Sequence, residues 1–448
     1  MRLVSSCVTR RFCGNSLRRA RVSLGNFSRH EGLVTDKVLA RKIASFSSVA
    51  PADSSDRAAG EYPYSHPYTC PHPGPSDRIF VAMSSGVDSS TAAALLVAKY
   101  PGQVSGIYMS NWSSHSKCSE SEWKDVQAVC KHIKISCNRV NFESDYWIDV
   151  FEPMLQMYRE GKTPNPDVGC NRHIKFGRLY EYLEKSNQGA NWWLATGHYA
   201  KVGIHQATGE RHLLRPKDRS KDQTYYLSTI IPSKLSRVLF PLADYEKQTV
   251  RSIAKQKNLP TASKPDSQGL CFVSQEHNNF KHFLREYVEP TPGDIITEDG
   301  KVVGRHQGLW QATIGQRSGV SMPQGDPNCN GIWYVSDKNY DKNELVIVKG
   351  SDNPSLFSKK VVCTDFKWLG SDLDQSSIDP KRLTFQYRSL QEPQILKHLD
   401  VKSISGTSSY RVSATFCESQ KSVSPGQYLV LYQGDRVLGS GPIDDRFN

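Results

Sequence analysis

The chain has 448 residues, of which 38% are hydrophobic and 23% charged, and this length predicts two to three globular domains. The sequence contains no run of 18 or more apolar residues, which argues against a membrane-spanning helix. The formal net charge is +12, but residues 1–50 hold ten Lys and Arg against Glu31 and Asp36, a surplus of eight. The overall charge therefore does not by itself indicate a nucleic-acid partner, and any basic surface must be local.

Residues 1–50 are rich in Arg and Ser, and the first thirty contain no acidic side chain. This composition predicts a transit peptide that directs the protein to the mitochondrial matrix. A disordered basic tail is the alternative interpretation. Residues 51–76 continue without hydrophobic periodicity and are predicted to be a linker.

The stretch from Arg78 to Tyr100 predicts a buried strand, a loop of small residues and a helix. The apolar run IFVAM is short and bounded, as expected of a buried parallel strand, and SSGVDSS (residues 84–90) follows it. Such a loop can bind phosphate through backbone N–H groups and the helix dipole, with serine hydroxyls as further donors. Asp88 could hold a loop amide or a magnesium ion. The loop is neither a Walker A nor a G-x-G-x-x-G sequence, and a serine-capped turn is the alternative.

A second informative stretch is TPNPDVGCN, from Thr163 to Asn171. Pro164 and Pro166 favour extended backbone, so no helix is expected to pass through them. Cys170 follows a carboxylate, Asp167, by three residues. Taken alone, this thiol could be a packed core residue, a metal ligand or a nucleophile, and free cysteines are most often buried in cores.

The chain contains eleven cysteines, and no two of them form a C-x-x-C pair. This spacing argues against a structural zinc module or a C-x-x-C redox pair. Most of the thiols are therefore expected to be reduced and structural. Core positions are expected for Cys118, Cys130, Cys137, Cys329, Cys363 and Cys417.

SSGVDSS resembles the pyrophosphate-binding S-G-G-x-D-S loop of the ATP-pyrophosphatase (PP-loop) superfamily, whose members adenylate a substrate with ATP. Ser85 departs from that pattern, because the superfamily usually has glycine there, and serine is strained if the position requires a positive φ. The later stretches P-N-P-D-x-x-C and D-S-x-G-x-C-F, the second ending with Cys271 and Phe272, extend the likeness. Together with ATGHYAK, KDQTYYLS, GRHQGLWQATIGQRSG and PGQYLVLYQGDRVLGSG, they resemble the bacterial and mitochondrial tRNA-specific 2-thiouridylases.

This resemblance implies the roles of the two cysteines. Cys271 would carry a persulfide, and Cys170 would be the other nucleophile, whose attack releases sulfide or leaves a Cys170–Cys271 disulfide. Asp167 would contact the base or move a proton. We expect Pro164 and Pro166 to stiffen a loop that presents Asn165, Asp167 and Cys170 towards a flipped-out base.

The resemblance also implies binding residues. Those expected to bind ATP are Ser84, Ser85, Gly86, Val87, Asp88, Ser89, Ser90, Met109 and Gly197. Those expected to contact tRNA are Asn165, Pro166, Asp167, Lys221, Asp222, Gln223, Gln386 and Tyr387. Without the resemblance, Met109 would be a core residue, Gly197 a tight turn, residues 221–223 a solvated loop and Tyr387 an ordinary strand residue. His198 is interpreted as a structural histidine, and no set of protein metal ligands is predicted.

The predicted architecture is an α/β fold with a parallel sheet in residues 77–275, a small central domain in residues 276–350 and a β-barrel in residues 351–448. The implied function is ATP- and Mg²⁺-dependent formation of 2-thiouridine at the wobble uridine of mitochondrial tRNA. A persulfide donor protein, either a sulfur-relay protein or a cysteine desulfurase, is the implied partner, and a monomer is expected. The alternatives are another PP-loop adenylating ligase and a non-catalytic RNA-binding protein.

Overall fold

The computed structural model describes residues 68–112, 116–266, 280–322, 329–370 and 382–448. All of these residues belong to one unit, His66–Asn448. Within them, no helix combines the length and the apolar character that crossing a membrane requires. Residues 1–50, predicted to be a transit peptide, and Cys271 lie outside the described residues.

A five-stranded parallel sheet in the order β4-β3-β2-β5-β8 forms the centre of the first domain. The strands up to Asp266 are β1 (Tyr68–Thr69), β2 (Arg78–Met83), β3 (Val104–Ser110), β4 (Cys137–Asn141), β5 (Trp192–Thr196), β6 (Lys201–His205), β7 (Arg211–Leu214) and β8 (Val238–Leu239). The chain leaves β2 towards β3 on one side and later adds β5 on the other, so the strand order reverses at the carboxyl end of β2. Ligands bind open α/β sheets at such a switch point.

Helices cover both faces of this sheet. They are α1 (Val87–Lys99), α2 (Ser116–His132), α3 (Glu143–Tyr146), α4 (Glu152–Arg159), α5 (Pro166–Gly169), α6 (Leu179–Ser186), α7 (Thr224–Leu227) and α8 (Lys247–Gln256). π-helical turns at Trp147–Phe151 and Cys170–Arg178 join α3 to α4 and α5 to α6, and short 3-10 helices lie at Arg219–Lys221 and Pro232–Arg237. The apolar residues Val87 and Ala94 of α1 pack against Ala254 of α8, which fixes the start of α1 beside the sheet.

The stretch around Cys170 is helical, which corrects one prediction. Asn165 is the N-cap of α5 and Pro166 its first residue, a position where proline is favoured because its missing N–H would have no intrahelical partner. Asp167 and Cys170 therefore project from the first turns of a continuous helical segment that ends at Ser186, and not from a proline-stiffened loop. The prolines mark where this helix begins.

The central domain contains α9 (Phe280–Leu284), a 3-10 helix at Leu309–Gln311 and a four-stranded sheet. Its strands are β9 (Gly293–Thr297), β10 (Val302–His306), β11 (Trp333–Asn339) and β12 (Glu344–Lys349). The strand order is β10-β9-β12-β11, with β12 parallel to β9 and the outer pairs antiparallel.

The last domain is a β-barrel, as predicted, and it is closed by six antiparallel strands. After a 3-10 helix at Pro354–Leu356, its strands are β13 (Phe357–Trp368), β14 (Leu383–Gln386), β15 (Gln394–Ser403), β16 (Tyr410–Lys421), β17 (Tyr428–Gln433) and β18 (Arg436–Pro442), followed by β19 (Asp445–Phe447). The ring runs β13-β16-β15-β14-β17-β18 and closes through pairing of β18 with β13. Its interior is apolar, with Phe366, Phe385 and Leu431 fully buried.

A three-stranded extension, β1-β6-β7, joins the barrel sheet where Leu214 pairs with Arg436. Tyr68 and Thr69 thus form a strand inside the segment predicted to be a linker, and the Tyr68 hydroxyl lies 2.9 Å from Nδ1 of His212. The largest core cluster also crosses the domain boundaries. It contains Cys170 of the first domain, Phe283 of the central domain and Tyr432 of the barrel.

Candidate active site

The loop after β2 has the geometry of a phosphate-binding turn. Gly86 is the N-cap of α1 and supplies no side chain to its first turn, whose N–H groups have no intrahelical acceptor. Ser85 has φ +56°, so the condition for strain is met and serine is in a conformation that favours glycine. Ser89 Oγ accepts a hydrogen bond from the Ser84 backbone N–H (3.1 Å), and Ser90 Oγ donates to the Gly86 carbonyl (2.8 Å). Two of the serine hydroxyls therefore shape the loop itself.

Asp88, in the first turn of α1, is held by two residues from distant parts of the chain. Lys247 Nζ lies 2.7 Å from both carboxylate oxygens, and the Tyr199 hydroxyl donates to Oδ1 at 3.0 Å. Burial, reinforced by the Asp88 charge, raises the pKa of Tyr199, so this phenol stays protonated and donates. The partners of Asp88 in the described residues are thus the side chains of Tyr199 and Lys247. A magnesium ion on Asp88 would have to share the carboxylate with Lys247.

Lys247 also contacts Asp266 at 3.0 Å, and Lys221 approaches the same carboxylate at 3.0 Å. Arg251 forms a third contact with it. Burial opposes ionisation of Asp266, but the hydrogen bonds from these three cations outweigh it and lower its pKa well below the ordinary range. Three cations therefore lie beside the phosphate-binding turn, with Asp88, Asp266 and Asp218 as the nearby carboxylates.

Gly197 and His198 follow β5 at the same edge of the sheet. A Cβ on Gly197 would lie 2.6 Å from the Ser89 backbone nitrogen, so glycine is required by close approach to the phosphate-binding turn. His198 is buried, and its Nδ1 lies 2.7 Å from Thr196 Oγ1. Burial, with the charge of Lys175, lowers the pKa of His198 well below its ordinary value, so the ring is neutral. Met109, near the end of β3, is half-buried and packs against the main core cluster.

Cys170 is buried, with only 5% of its surface exposed. Asp167, one helical turn before it, has its pKa raised by burial, and the nearby charge of Lys175 opposes that rise. Lys175 Nζ lies 3.5 Å from His198 Nε2, so the Cys170 helix contacts the residue next to Gly197. These two contacts, Lys175 to His198 and Gly197 to Ser89, link the helix that carries Cys170 to the predicted ATP loop. The predicted Cys170–Cys271 disulfide remains a prediction.

Asn171 directly follows Cys170 and is 3% exposed. Its Nδ2 donates to the Asp167 carbonyl at 2.9 Å. Its Oδ1 is buried, and none of the described residues hydrogen-bonds to it. Such an atom at a predicted site is suited to a ligand donor, because an unpaired buried acceptor is costly.

Four predicted tRNA contacts have their side chains engaged inside the protein. Asp222 is 6% exposed and accepts hydrogen bonds from the Thr224 N–H and hydroxyl. Gln223 Oε1 accepts from the Tyr199 N–H at 2.9 Å, so residues 221–223 are not a solvated loop. Gln386 Oε1 accepts from the Tyr432 hydroxyl at 2.8 Å, and Tyr387 is 2% exposed. The Tyr387 ring is therefore not available for base stacking in this structure.

Lys175 and Lys247 are site residues that the sequence analysis missed. Lys247 is 159 positions from Asp88 in the chain, and only the fold brings them together. For Lys175, the sequence did contain a usable signal, because this lysine lies within two helical turns of Cys170. Among the other cysteines, the expected core position is wrong for Cys417, which is exposed.

The residues present fit a nucleotide phosphate. The uncapped start of α1, the left-handed Ser85 and the cationic Lys247 supply donors and positive charge at one place. In the described residues no group of three or more His, Cys, Asp and Glu is arranged to hold a metal ion.

Comparison with known proteins places this site in a family. Three domain families match in sequence: "tRNA methyl transferase HUP domain" over residues 77–275, "tRNA methyl transferase PRC-barrel domain" over 281–349 and "Aminomethyltransferase beta-barrel domain" over 358–443. The mitochondrial tRNA-specific 2-thiouridylase 1 of Saccharomyces cerevisiae is 48% identical, over 83% of this chain and 92% of the relative. The chain belongs to the tRNA-specific 2-thiouridylase family.

Two further members of the family support this assignment. The mitochondrial tRNA-specific 2-thiouridylase 1 of Schizosaccharomyces pombe is 40% identical over 83% of this chain and 91% of its own. The tRNA-specific 2-thiouridylase MnmA of Bacillus subtilis is 41% identical over 82% of this chain and 95% of its own. The descriptions of the domain families mention methyl transfer. The family of the whole chain is nevertheless assigned from the 2-thiouridylases, because these relatives match across nearly their full lengths.

Proposed function

We propose that the protein is an ATP-dependent sulfurtransferase that forms 2-thiouridine at the wobble uridine of mitochondrial tRNA. The observation that carries this proposal is the connection of the Cys170 helix to the phosphate-binding turn through Lys175, His198 and Gly197. Family membership supports the same activity, because the relatives are named for it. The first domain would comprise residues 77–275, the central domain 276–350 and the barrel 351–448.

The chemistry requires an activated oxygen and a sulfur nucleophile. The C2 oxygen of uracil is a poor leaving group, and its adenylation by ATP makes AMP the group that departs. Cys170 would attack Sγ of the Cys271 persulfide, forming a Cys170–Cys271 disulfide and releasing hydrosulfide. Hydrosulfide then adds to C2 and AMP leaves, while an external thiol reductant restores both cysteines.

The surroundings of Cys170 suit this role. Asp167 lies where burial raises its pKa and Lys175 opposes that rise, so the carboxyl group can accept and return a proton. Burial of the thiol limits its access to bulk solvent before the persulfide reaches it. The ammonium groups of Lys247 and Lys221, now paired with Asp88 and Asp266, would stabilise the departing pyrophosphate.

The tRNA would lie across the start of α5. Asn165, Pro166 and Asp167 would meet the target base, and Lys221 would contact a phosphate. Since the side chains of Asp222, Gln223, Gln386 and Tyr387 are engaged internally, these residues would contribute by shaping the surface around the tRNA.

Location and partners complete the proposal. The acid-poor residues 1–50 and the two yeast relatives named as mitochondrial support a mitochondrial matrix enzyme. A sulfur-relay protein or cysteine desulfurase would supply the persulfide, magnesium would accompany ATP, and the enzyme would act as a monomer.

The test is mass spectrometry of nucleosides from unmodified tRNA incubated with the protein, Mg-ATP and a persulfide source. We expect 2-thiouridine from the wild type and from Cys417→Ser, a control at an exposed thiol. Cys170→Ser and Cys271→Ser should form none, while pyrophosphate is still released from ATP as the uridine is adenylated. AMP release that produces no thiolated tRNA in the wild type would favour an adenylating ligase. The absence of any tRNA-dependent ATP consumption would favour a non-catalytic RNA-binding protein.

A further inference from the structure

The short segment between α4 and α5 is held by the barrel. The Thr163 N–H donates to the Pro425 carbonyl at 2.8 Å, and the Thr163 carbonyl accepts from Gln427 Nε2 at 2.8 Å. Both backbone groups of Thr163 are thus paired with residues from another domain. These partners lie 262 to 264 positions after this segment in the sequence, and only the fold brings them together.

Gln427 makes further contacts with the same segment. Its Nε2 lies 3.5 Å from the Pro164 carbonyl, and its Oε1 accepts from Asn165 Nδ2 at 3.4 Å. The neighbouring Gly426 has φ +93°, and a Cβ there would lie 2.9 Å from the Thr163 backbone. The barrel therefore approaches this segment as closely as two backbones allow. The Gln427 side chain contacts three consecutive residues of the segment.

The central domain holds the other end of the segment. Lys338 Nζ donates to the Gly161 carbonyl at 2.8 Å. Burial lowers the pKa of Lys338 to about 8. Gly161 has φ +70° and packs near Leu309 and Tyr340 of the central domain. The segment is consequently fixed by contacts from both domains that follow the parallel-sheet domain.

The segment leads directly into the site. Asn165 is the N-cap of α5, so Asp167 follows it by two residues and Cys170 by five. The proline rings of Pro164 and Pro166 restrict the backbone between Thr163 and the helix, and a displacement at Thr163 is therefore passed on to the helix start. A misplacement of about 1 Å in a reacting group can cost a hundredfold in rate.

We propose that Gln427 is a positioning residue for sulfur transfer: from the barrel it fixes residues 163–165, and through them it holds Asp167 and Cys170 against the phosphate-binding turn. This inference rests on the proposed function. It gives the barrel a role in sulfur transfer that is separate from any role of the barrel in binding tRNA.

Other contacts keep the two domains together when Gln427 is changed. The Tyr225 hydroxyl lies 3.2 Å from the Tyr387 carbonyl and accepts from the Tyr428 N–H at 3.1 Å. Ser440 Oγ donates to the Ser228 carbonyl at 3.0 Å. Loss of the Gln427 side chain should therefore loosen residues 163–165 while the barrel stays docked.

The test measures single-turnover 2-thiouridine formation at saturating tRNA and Mg-ATP, together with the Kd for tRNA. For Gln427→Ala we expect the rate constant to fall roughly ten- to a hundredfold with little change in Kd. Gln427→Glu keeps the size and the acceptor for Asn165 but removes the donor to Thr163, and it should be equally impaired. Gln420→Ala is the matched control, since Gln420 is a buried glutamine whose partners Gln391, Gln394 and Glu418 all lie in the barrel.

A second readout is independent of catalysis. In the Cys271→Ser protein, the rate of Cys170 alkylation by iodoacetamide is followed by peptide mass spectrometry. Gln427→Ala should raise this rate, because the start of α5 opens more often, while Gln420→Ala should not.

Three results would overturn the positioning role. They are a raised Kd for tRNA with an unchanged rate constant, equal losses in Gln420→Ala, and an unchanged rate of Cys170 alkylation. A wild-type protein that forms no 2-thiouridine would instead contradict the proposed function, and the alkylation experiment would still decide whether Gln427 positions Cys170.

Discussion

Ser85 holds its backbone in the left-handed region at φ +56°, in a turn where the side chain is 7% exposed. A residue with a Cβ pays roughly 1–2 kcal/mol in this conformation, because the Cβ crowds the following carbonyl. The hydrogen bonds of Ser89 and Ser90 around Gly86 hold the turn in place against that strain. Strain of this kind persists where the surrounding structure fixes a functional conformation.

Ser85→Gly should therefore stabilise the protein. The gain is smaller than the full strain, since glycine also loses more backbone entropy on folding, and roughly 0.5–1 kcal/mol should remain. Differential scanning fluorimetry should show a rise in Tm of roughly 1–3 °C. Ser84→Gly is the matched control and should lower Tm, because Ser84 does not have a positive φ and its hydroxyl is hydrogen-bonded to Ser89. A fall in Tm for Ser85→Gly would show that its hydroxyl outweighs the strain.

Among the secondary-structure elements, the helical segment from Pro166 to Ser186 shows what local sequence signals can and cannot predict. Two prolines around Asn165 correctly exclude a helix through that point, but the same signals do not distinguish a loop from a helix that begins at Pro166. The π-helical turn from Cys170 to Arg178 had no recognised signal in the sequence. Such turns are rare and frequently occur at functional sites.

His198 connects this helix to the end of β5. Its Nδ1 is paired with Thr196, and its Nε2 faces Lys175. A second proton on the ring would therefore place a buried positive charge beside the Lys175 cation. The interpretation of His198 as a structural histidine agrees with these contacts. The unfolded chain has an ordinary histidine pKa of about 6.5. Because the folded-state pKa is lower, only the unfolded state takes up this proton as the pH falls below that value.

His198 should consequently contribute to acid destabilisation. Stability is unaffected by this group above about pH 6.5 and falls below it, with a limiting slope of about 1.4 kcal/mol per pH unit. Between pH 7.5 and 5.5, Tm should fall less steeply for His198→Gln than for the wild type. Some slope should remain, since burial also lowers the pKa of His212, to about 4. His398→Gln, at an exposed strand position, is the control, and equal slopes in wild type and His198→Gln would contradict the prediction.

In the whole molecule, the order of domains could be predicted because each has its own local pattern. The apolar runs of β2 and β3 indicate a parallel sheet, and the alternating runs near Tyr428 indicate a barrel. Contacts between distant residues could not be predicted in this way. Tyr68 pairs with His205 in the barrel's extension, and Lys247 reaches Asp88, because the closed fold and not the local sequence makes them neighbours.

The docking of the barrel depends on buried polar groups as well as apolar packing. The Tyr225 side chain is 1% exposed, and its hydroxyl accepts from the Tyr428 N–H across the boundary. Its proton points towards the carbonyls of Tyr387 and Tyr428, both at 3.2 Å. The residue next in sequence, Tyr226, is half-buried and packs edge-on against the Tyr225 ring, with the centroids 5.7 Å apart.

Tyr225→Phe should weaken this docking while leaving each domain folded. Removing the hydroxyl leaves the buried Tyr428 N–H without its acceptor, at a cost of about 1–3 kcal/mol. Hydrogen exchange measured by mass spectrometry should then be faster in β17, which begins at Tyr428, and unchanged in β11 and β12 of the central domain. Tyr226→Phe, the matched control, should change neither. Faster exchange throughout the molecule would indicate global destabilisation, and unchanged exchange in β17 would show that the hydroxyl contributes nothing to holding the barrel against the parallel-sheet domain.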